Sequence, residues 1–256
     1  SVCSIEAVAA ATTKPFWFQL YVMRDRTYIE NLIKRAHDAG CEALVLTLDL
    51  QILGQRHKDV KNGLSTPPKP TLANLINLAT KPRWLMGMAK TSNRTFGNIV
   101  GHAPGVDNMT SLSTWTHSQF DQSLDWDKVA AIRDAWGGTM ILKGIMDPKD
   151  ARRAADLGVD AIVVSNHGGR QLDGSRSSFD QLAEIVDAVG DEIDVIMDSG
   201  IQRGTHVIKA LSLGAKAVGG GRFYLYPLAA AGQPGVERAL QLELRLRVDG
   251  ARRLVE

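Results

Sequence analysis

Behind the apolar run Asp160-Ala161-Ile162-Val163-Val164 the chain places Ser165-Asn166-His167-Gly168-Gly169-Arg170-Gln171-Leu172-Asp173. A histidine exchanges protons near neutral pH. Paired glycines let a ligand approach the backbone closely, and a guanidinium grips a carboxylate with two parallel hydrogen bonds. Together they suit proton removal from a substrate that carries an acid group. Alone, the segment fits a tight turn with a capping histidine and a solvated arginine equally well, so the rest of the chain must decide.

Other polar residues recur in the same context, at the ends of short apolar runs. Tyr21 closes Gln19-Leu20-Tyr21, and Asp49 closes Ala43-Leu44-Val45-Leu46-Thr47-Leu48. Lys143 closes Met140-Ile141-Leu142, where a charge is too costly to place without a partner or a task. A carboxylate such as Asp49 near a histidine stabilises the imidazolium and makes a better base. Two glycine-rich stretches, Asp198-Ser199-Gly200-Ile201-Gln202-Arg203-Gly204 and Gly219-Gly220-Gly221-Arg222, each lead into a helical pattern. Backbone N–H groups at such turns form anion sites, and Arg222 adds charge.

The elements that must position these residues alternate. Strand-like runs at 16–22, 43–49, 140–143, 161–164, 194–197 and 215–219 are separated by helical patterns at 27–39, 148–157, 178–189 and 204–213. Short continuous apolar strands between helices predict α/β architecture with a buried parallel sheet. Polar residues gathered at strand C-termini predict a (β/α)8 TIM barrel. A doubly wound sheet would want a phosphate-binding glycine motif after its first strand, which is lacking. Six βα units are legible, and the chain opens Ser1-Val2-Cys3 without an initiator methionine. The expectation is one domain over 1–256, an N-terminally incomplete barrel lacking its first two strands, with 50–124 as an inserted lid segment.

Composition is that of a globular protein, 44% hydrophobic and 23% charged with net charge +2. Two cysteines, Cys3 and Cys41, support neither a disulfide framework nor a zinc site, and Cys41 reads as a buried thiol. A cytoplasmic location follows as the default. Charge is uneven: residues 56–94 sum to +7 and the remainder to −5. That basic segment also carries Leu72, Leu75, Ile76, Trp84, Leu85 and Met86, so it predicts either a lid over the barrel mouth or peripheral contact with an anionic membrane at its inner face. No recognition-module pattern for nucleic acid accompanies it.

Taken together, Phe18-Gln19-Leu20-Tyr21-Val22, Leu46-Thr47-Leu48-Asp49, Gly54-Gln55-Arg56, Leu142-Lys143-Gly144, the Ser165–Asp173 stretch and Gly221-Arg222 resemble the FMN-dependent 2-hydroxy acid oxidase/dehydrogenase family. This is the family of the flavin L-lactate dehydrogenases, glycolate oxidase and mandelate dehydrogenase, and the resemblance covers about Cys3 to Gln241. It implies an FMN-dependent oxidation of a small (S)-2-hydroxy acid, with L-lactate favoured by similarity around Leu48–Arg56. It implies His167 as base with Asp49 stabilising its protonated form, Arg170 as the carboxylate clamp, and Tyr21 and Arg56 as further substrate contacts. Lys143 is implied beside the flavin N1–O2 edge, Gln19 and Thr47 at the flavin ring, Gly200, Gly221 and Arg222 at the phosphate end, and Asp198 as a further cofactor-binding residue. A homo-oligomer is implied too, and the electron acceptor is left open among oxygen, quinone and cytochrome.

The chain departs from the family pattern where Asp198-Ser199-Gly200-Ile201-Gln202 stands for Asp-Gly-Gly-Ile-Arg. Ser199 adds a side chain to a tight turn, and Gln202 removes a cation whose contact contributes roughly 1.5–3 kcal/mol. Gly220 replaces an apolar residue. Two rivals remain. An inosine monophosphate dehydrogenase-type barrel would need a catalytic cysteine loop, which neither Cys3 nor Cys41 occupies. A non-catalytic fragment that binds no flavin would show no colour.

Overall fold

The computed structural model describes residues 2–50, 54, 57, 61–62, 71–91, 93–106, 111, 115, 119, 122–172 and 174–253, with the backbone alone from 242 onward. Arg56 and Asp173 lie outside the described residues. Six strands are found among them: β1 (Trp17–Tyr21), β2 (Ala43–Thr47), β3 (Thr139–Ile145), β4 (Ala161–Val164), β5 (Asp194–Met197) and β6 (Ala217–Val218). Their order in the sheet is β1-β2-β3-β4-β5-β6, and β3 to β6 pair in parallel. The order follows the chain without reversal, so the sheet has no switch point of the doubly wound kind. Sequential parallel strands alternating with helices make this the wall of a (β/α) barrel.

Among the described residues the helices with bounds are α1 (Ile5–Ala11), α2 (Arg26–Asp38), α3 (Leu72–Ala79), α4 (Pro82–Lys90), α5 (Trp126–Trp136), α6 (Pro148–Asp156), α7 (Ser178–Val189), α8 (Gly204–Ser212) and α9 (Gly221–Arg253), the last broken at Gly232. The chain divides into two compact units, Ser1–Val45 with Leu50–Gly138, and Leu46–Asp49 with Thr139–Glu256.

In the second unit every residue of β4 is buried, as are Met140, Ile141 and Leu142 of β3. Both faces of these strands are covered, which is why they read as continuous apolar runs rather than alternating ones. Local chemistry sets the helix starts. Asp147 accepts from the Lys149 N–H and Pro148 follows at the first helical position of α6. Ser177 accepts from the Asp180 N–H at the head of α7, which then buries Leu182, Ile185 and Val189 on one stripe.

In the first unit α2 starts at the Asp25 cap and buries Tyr28, Ile29, Leu32, Ile33 and Ala36. Helix α5 is absent from the sequence expectations although its signals are complete. Asp125 caps it, Val129, Ile132 and Trp136 are buried, and Gly137 ends it with φ 66°. Cys41 is buried and its thiol is pushed up by that burial.

Two expectations shift in position. Lys143 does not end its strand: β3 continues to Ile145, with the register shifting between Lys143 and Ile145. Gly144 makes the irregularity with φ 103°, and a Cβ there would meet the Asp49 side chain at 3.0 Å, so the glycine makes room for that carboxylate. Strand β6 is only two residues long, and Arg222 sits in the first turn of α9 rather than on a strand end. The run Gly219-Gly220-Gly221 offers no side chains to pack, which explains the short strand.

Candidate active site

The site is built from residues of the second unit at or near the C-terminal ends of β2, β3, β4 and β5. β2 delivers Thr47, buried, and two residues later Asp49. The Leu48 N–H donates to the Lys143 carbonyl at 2.9 Å, which ties this end of β2 to β3. β4 delivers Ser165 and then His167, Gly168 and Gly169, three successive residues with φ of 57°, 69° and 67°. Left-handed backbone is natural for the glycines and strained for a histidine, so the turn must be held from outside. Asn166 helps to hold it: its Oδ1 accepts from the N–H groups of Gly168 and Gly169 at 3.0 and 3.3 Å.

His167 Nδ1 lies 3.1 and 3.2 Å from the two carboxylate oxygens of Asp49. With Nδ1–H donating to Asp49, the Nε2 lone pair is left as the acceptor, the arrangement a general base requires. Both side chains are mostly buried, so the carboxylate acts through little intervening water.

Lys143 is the second charged centre. Its side chain is 13% exposed, and its Nζ donates to Asp198 Oδ2 at 2.9 Å and to Ser165 Oγ at 2.8 Å. A nearly buried ammonium without such partners costs several kcal/mol. Asp198, assigned to the cofactor end on sequence, thus takes the part of counter-charge to Lys143. Ser165 is buried and was not singled out on sequence. It also accepts from the His167 N–H at 3.2 Å.

The glycine-rich turns lie beside a cavity of about 540 Å³ lined by Gly168, Gly169, Ser199, Gly200, His206 and Arg222 among others. Ser199 and Gly200 both have φ 75°. Helix α8 opens at Gly204 with no side chain capping it, and α9 opens at Gly221. The Arg222 guanidinium lies so close over Gly168 that a Cβ there would meet it at 2.6 Å. Glycine turns, two helix N-termini and a guanidinium around one cavity form the donor set that a phosphate needs. That cradle and the Lys143 ammonium fit the two anionic parts of a flavin mononucleotide.

Arg170 is half-buried three residues after His167, and among the described residues no carboxylate pairs with it. Gln19 and Tyr21 belong to the first unit. They share the exposed face of β1, where Gln19 Nε2 donates to the Tyr21 hydroxyl at 3.3 Å.

Comparison with known proteins adds an independent line. The family model described as FMN-dependent dehydrogenase matches residues 1–248. The chain is 43% identical over 243 residues to an L-lactate dehydrogenase of Caulobacter vibrioides (strain NA1000 / CB15N), covering 94% of this chain and 63% of that protein. It is 44% identical over 250 residues to an L-lactate dehydrogenase of Ectopseudomonas mendocina (strain ymp), covering 97% and 66%. A solved structure of (S)-mandelate dehydrogenase, described as a monotopic membrane protein, superposes with a TM-score of 0.90 at 33% identity. That match covers 99% of this chain and 66% of the other. The chain therefore spans just under two thirds of the length of these relatives.

Proposed function

Since this chain belongs to the FMN-dependent dehydrogenase family, we propose that it oxidises a small (S)-2-hydroxy acid, L-lactate first among them, to the 2-oxo acid. The observation that carries the reading is the His167–Asp49 pair at 3.1 Å beside the nearly buried Lys143. FMN, when bound, supplies the acceptor for the two electrons that leave the substrate. Everything else falls to side chains.

His167 Nε2 takes the substrate proton, and Asp49 stabilises the imidazolium that results. Arg170 grips the substrate carboxylate with its fork of donors, with Tyr21 and Arg56 as further substrate contacts. Lys143 would lie at the flavin edge, where its charge would offset the negative charge that gathers on reduction. On the family resemblance, Gln19 and Thr47 would contact the ring and Gly200, Gly221 and Arg222 would hold the phosphate, while Asp198 keeps Lys143 in place. The support for Arg170 is its freedom from carboxylates among the described residues.

The test is optical. Loaded with FMN, the chain should turn yellow, and L-lactate added without oxygen should bleach it. His167→Gln should keep the colour and lose the bleaching. A bound flavin that keeps its colour under L-lactate contradicts the reading. Preferential bleaching by (S)-mandelate would move the substrate toward the structural neighbour. A chain that takes up no flavin would favour the non-catalytic rival.

A second reading concerns location, which we infer to be peripheral, at the inner face of a membrane. No helix among the described residues is long and apolar enough to cross one. Helices α3 and α4 nevertheless expose Leu72, Leu75, Ile76, Trp84, Leu85 and Met86, in the segment that also carries Lys81, Arg83 and Lys90. Exposed apolar groups with basic neighbours favour an anionic bilayer surface. Flotation with vesicles containing anionic lipid should carry the chain upward, and a chain that stays at the bottom of the gradient removes the idea.

A further inference from the structure

We propose that the Ser199 hydroxyl is a positioning group that closes a hydrogen-bonded ring joining Lys143 to the His167 turn. The ring itself rests on geometry. Its effect on rate rests on the flavin-dependent oxidation proposed above.

From Lys143 the ring runs both ways. On one side Nζ donates to Ser165 Oγ at 2.8 Å, and that oxygen accepts from the His167 N–H at 3.2 Å. On the other side Nζ meets Asp198 Oδ2 at 2.9 Å. Asp198 Oδ1 accepts from the Ser199 hydroxyl at 2.9 Å, and Ser199 Oγ accepts from the Gly168 N–H at 2.9 Å. His167 and Gly168 are consecutive, so the ring closes. A hydroxyl donates and accepts at once, and Ser199 uses both capacities. Neither glycine nor alanine can replace it.

The backbone makes the serine's presence informative. Its φ of 75° lies in the left-handed region, where glycine sits without strain. The side chain is kept against that strain, and it points into the ring. It fixes the Asp198 carboxylate so that Oδ2 faces Lys143, and it gives the Gly168 N–H an acceptor besides Asn166 Oδ1. Lys143 and His167, the charged group and the base, are thereby set relative to each other through one hydroxyl.

Two variants of this chain test the inference, Ser199→Gly and Ser199→Ala. Without flavin, exchange of the Gly168 amide should speed up in both, by at most about tenfold because Asn166 Oδ1 still accepts from it. Unchanged exchange overturns the ring. Loaded with FMN, both should show kcat for L-lactate-driven flavin reduction lowered about tenfold with KM altered less than about twofold. The flavin reduction potential should fall in both as Lys143 loses its fixed place. Ser199→Gly also relieves the backbone, so its Tm should not fall below that of Ser199→Ala. If Ser199→Gly matches the parent in rate and potential and only Ser199→Ala suffers, the serine is a turn residue and the positioning role is overturned. If the parent chain itself is not reduced by L-lactate, the functional reading fails, and the amide exchange still decides the ring.

Discussion

Lys143 and the basic residues of α4 place the same kind of charge in opposite surroundings. Lys143 is enclosed between Asp198 and Ser165, with Leu142 beside it fully buried. Helices α3 and α4 instead bury none of their residues, and Ile76 is 61% exposed. An enclosed charge carries a desolvation cost, so the folded protein must supply its partners. An open amphipathic helix carries no such cost, and its apolar side chains gain nothing in this chain alone. The first arrangement is organised by the fold. The second is organised for whatever covers it.

That contrast can be broken by substitution. The largest loss should come from the core under the site: Leu142→Ala should lower stability by about 3 kcal/mol in urea unfolding, since the side chain is fully buried. Asp198→Ala should cost about 2 kcal/mol, because it leaves the Lys143 ammonium without its counter-charge in a site that keeps some solvent contact. A result near zero would mean that water reaches Lys143 freely.

Smaller effects belong to exposed positions. Arg35 holds Glu6 with two bonds of 2.7 and 2.8 Å and lowers its pKa from 4.5 to about 2. A depressed carboxyl stabilises the fold above its unfolded pKa and loses that contribution as the pH falls through its folded one. Glu6 is half-exposed, so Glu6→Gln should cost under about 1 kcal/mol at pH 7. The gap between variant and parent should close as the pH falls from 4.5 toward about 2. Ile76→Ser should change stability by less than about 0.5 kcal/mol while weakening vesicle binding. A large loss of stability there would show that α3 is packed after all.

Much of this was legible in the chain. The strand-like runs at 161–164 and 194–197 announced parallel strands, and the helical patterns at 148–157 and 178–189 announced α6 and α7. The His167–Asp49 pair followed from the resemblance and is present at hydrogen-bond distance. Helix α5 was equally legible, through the Asp125 cap and Gly137, yet no expectation covered residues 125–137. The partners of Lys143 were not legible. Asp198 lies 55 residues away and Ser165 lies 22 away, and no local pattern encodes contacts made between the ends of different strands. The hydroxyl of Ser199 looked like an awkward side chain in a tight turn. Only three dimensions give it a donor and an acceptor.

The proposed oxidation needs His167 as base with Asp49 behind it, and one rate constant tests that most directly. Anaerobic flavin reduction by L-lactate should be at least about 100-fold slower in Asp49→Asn than in the parent chain, with the flavin still bound. Reduction of Asp49→Asn at the parent rate would contradict the account.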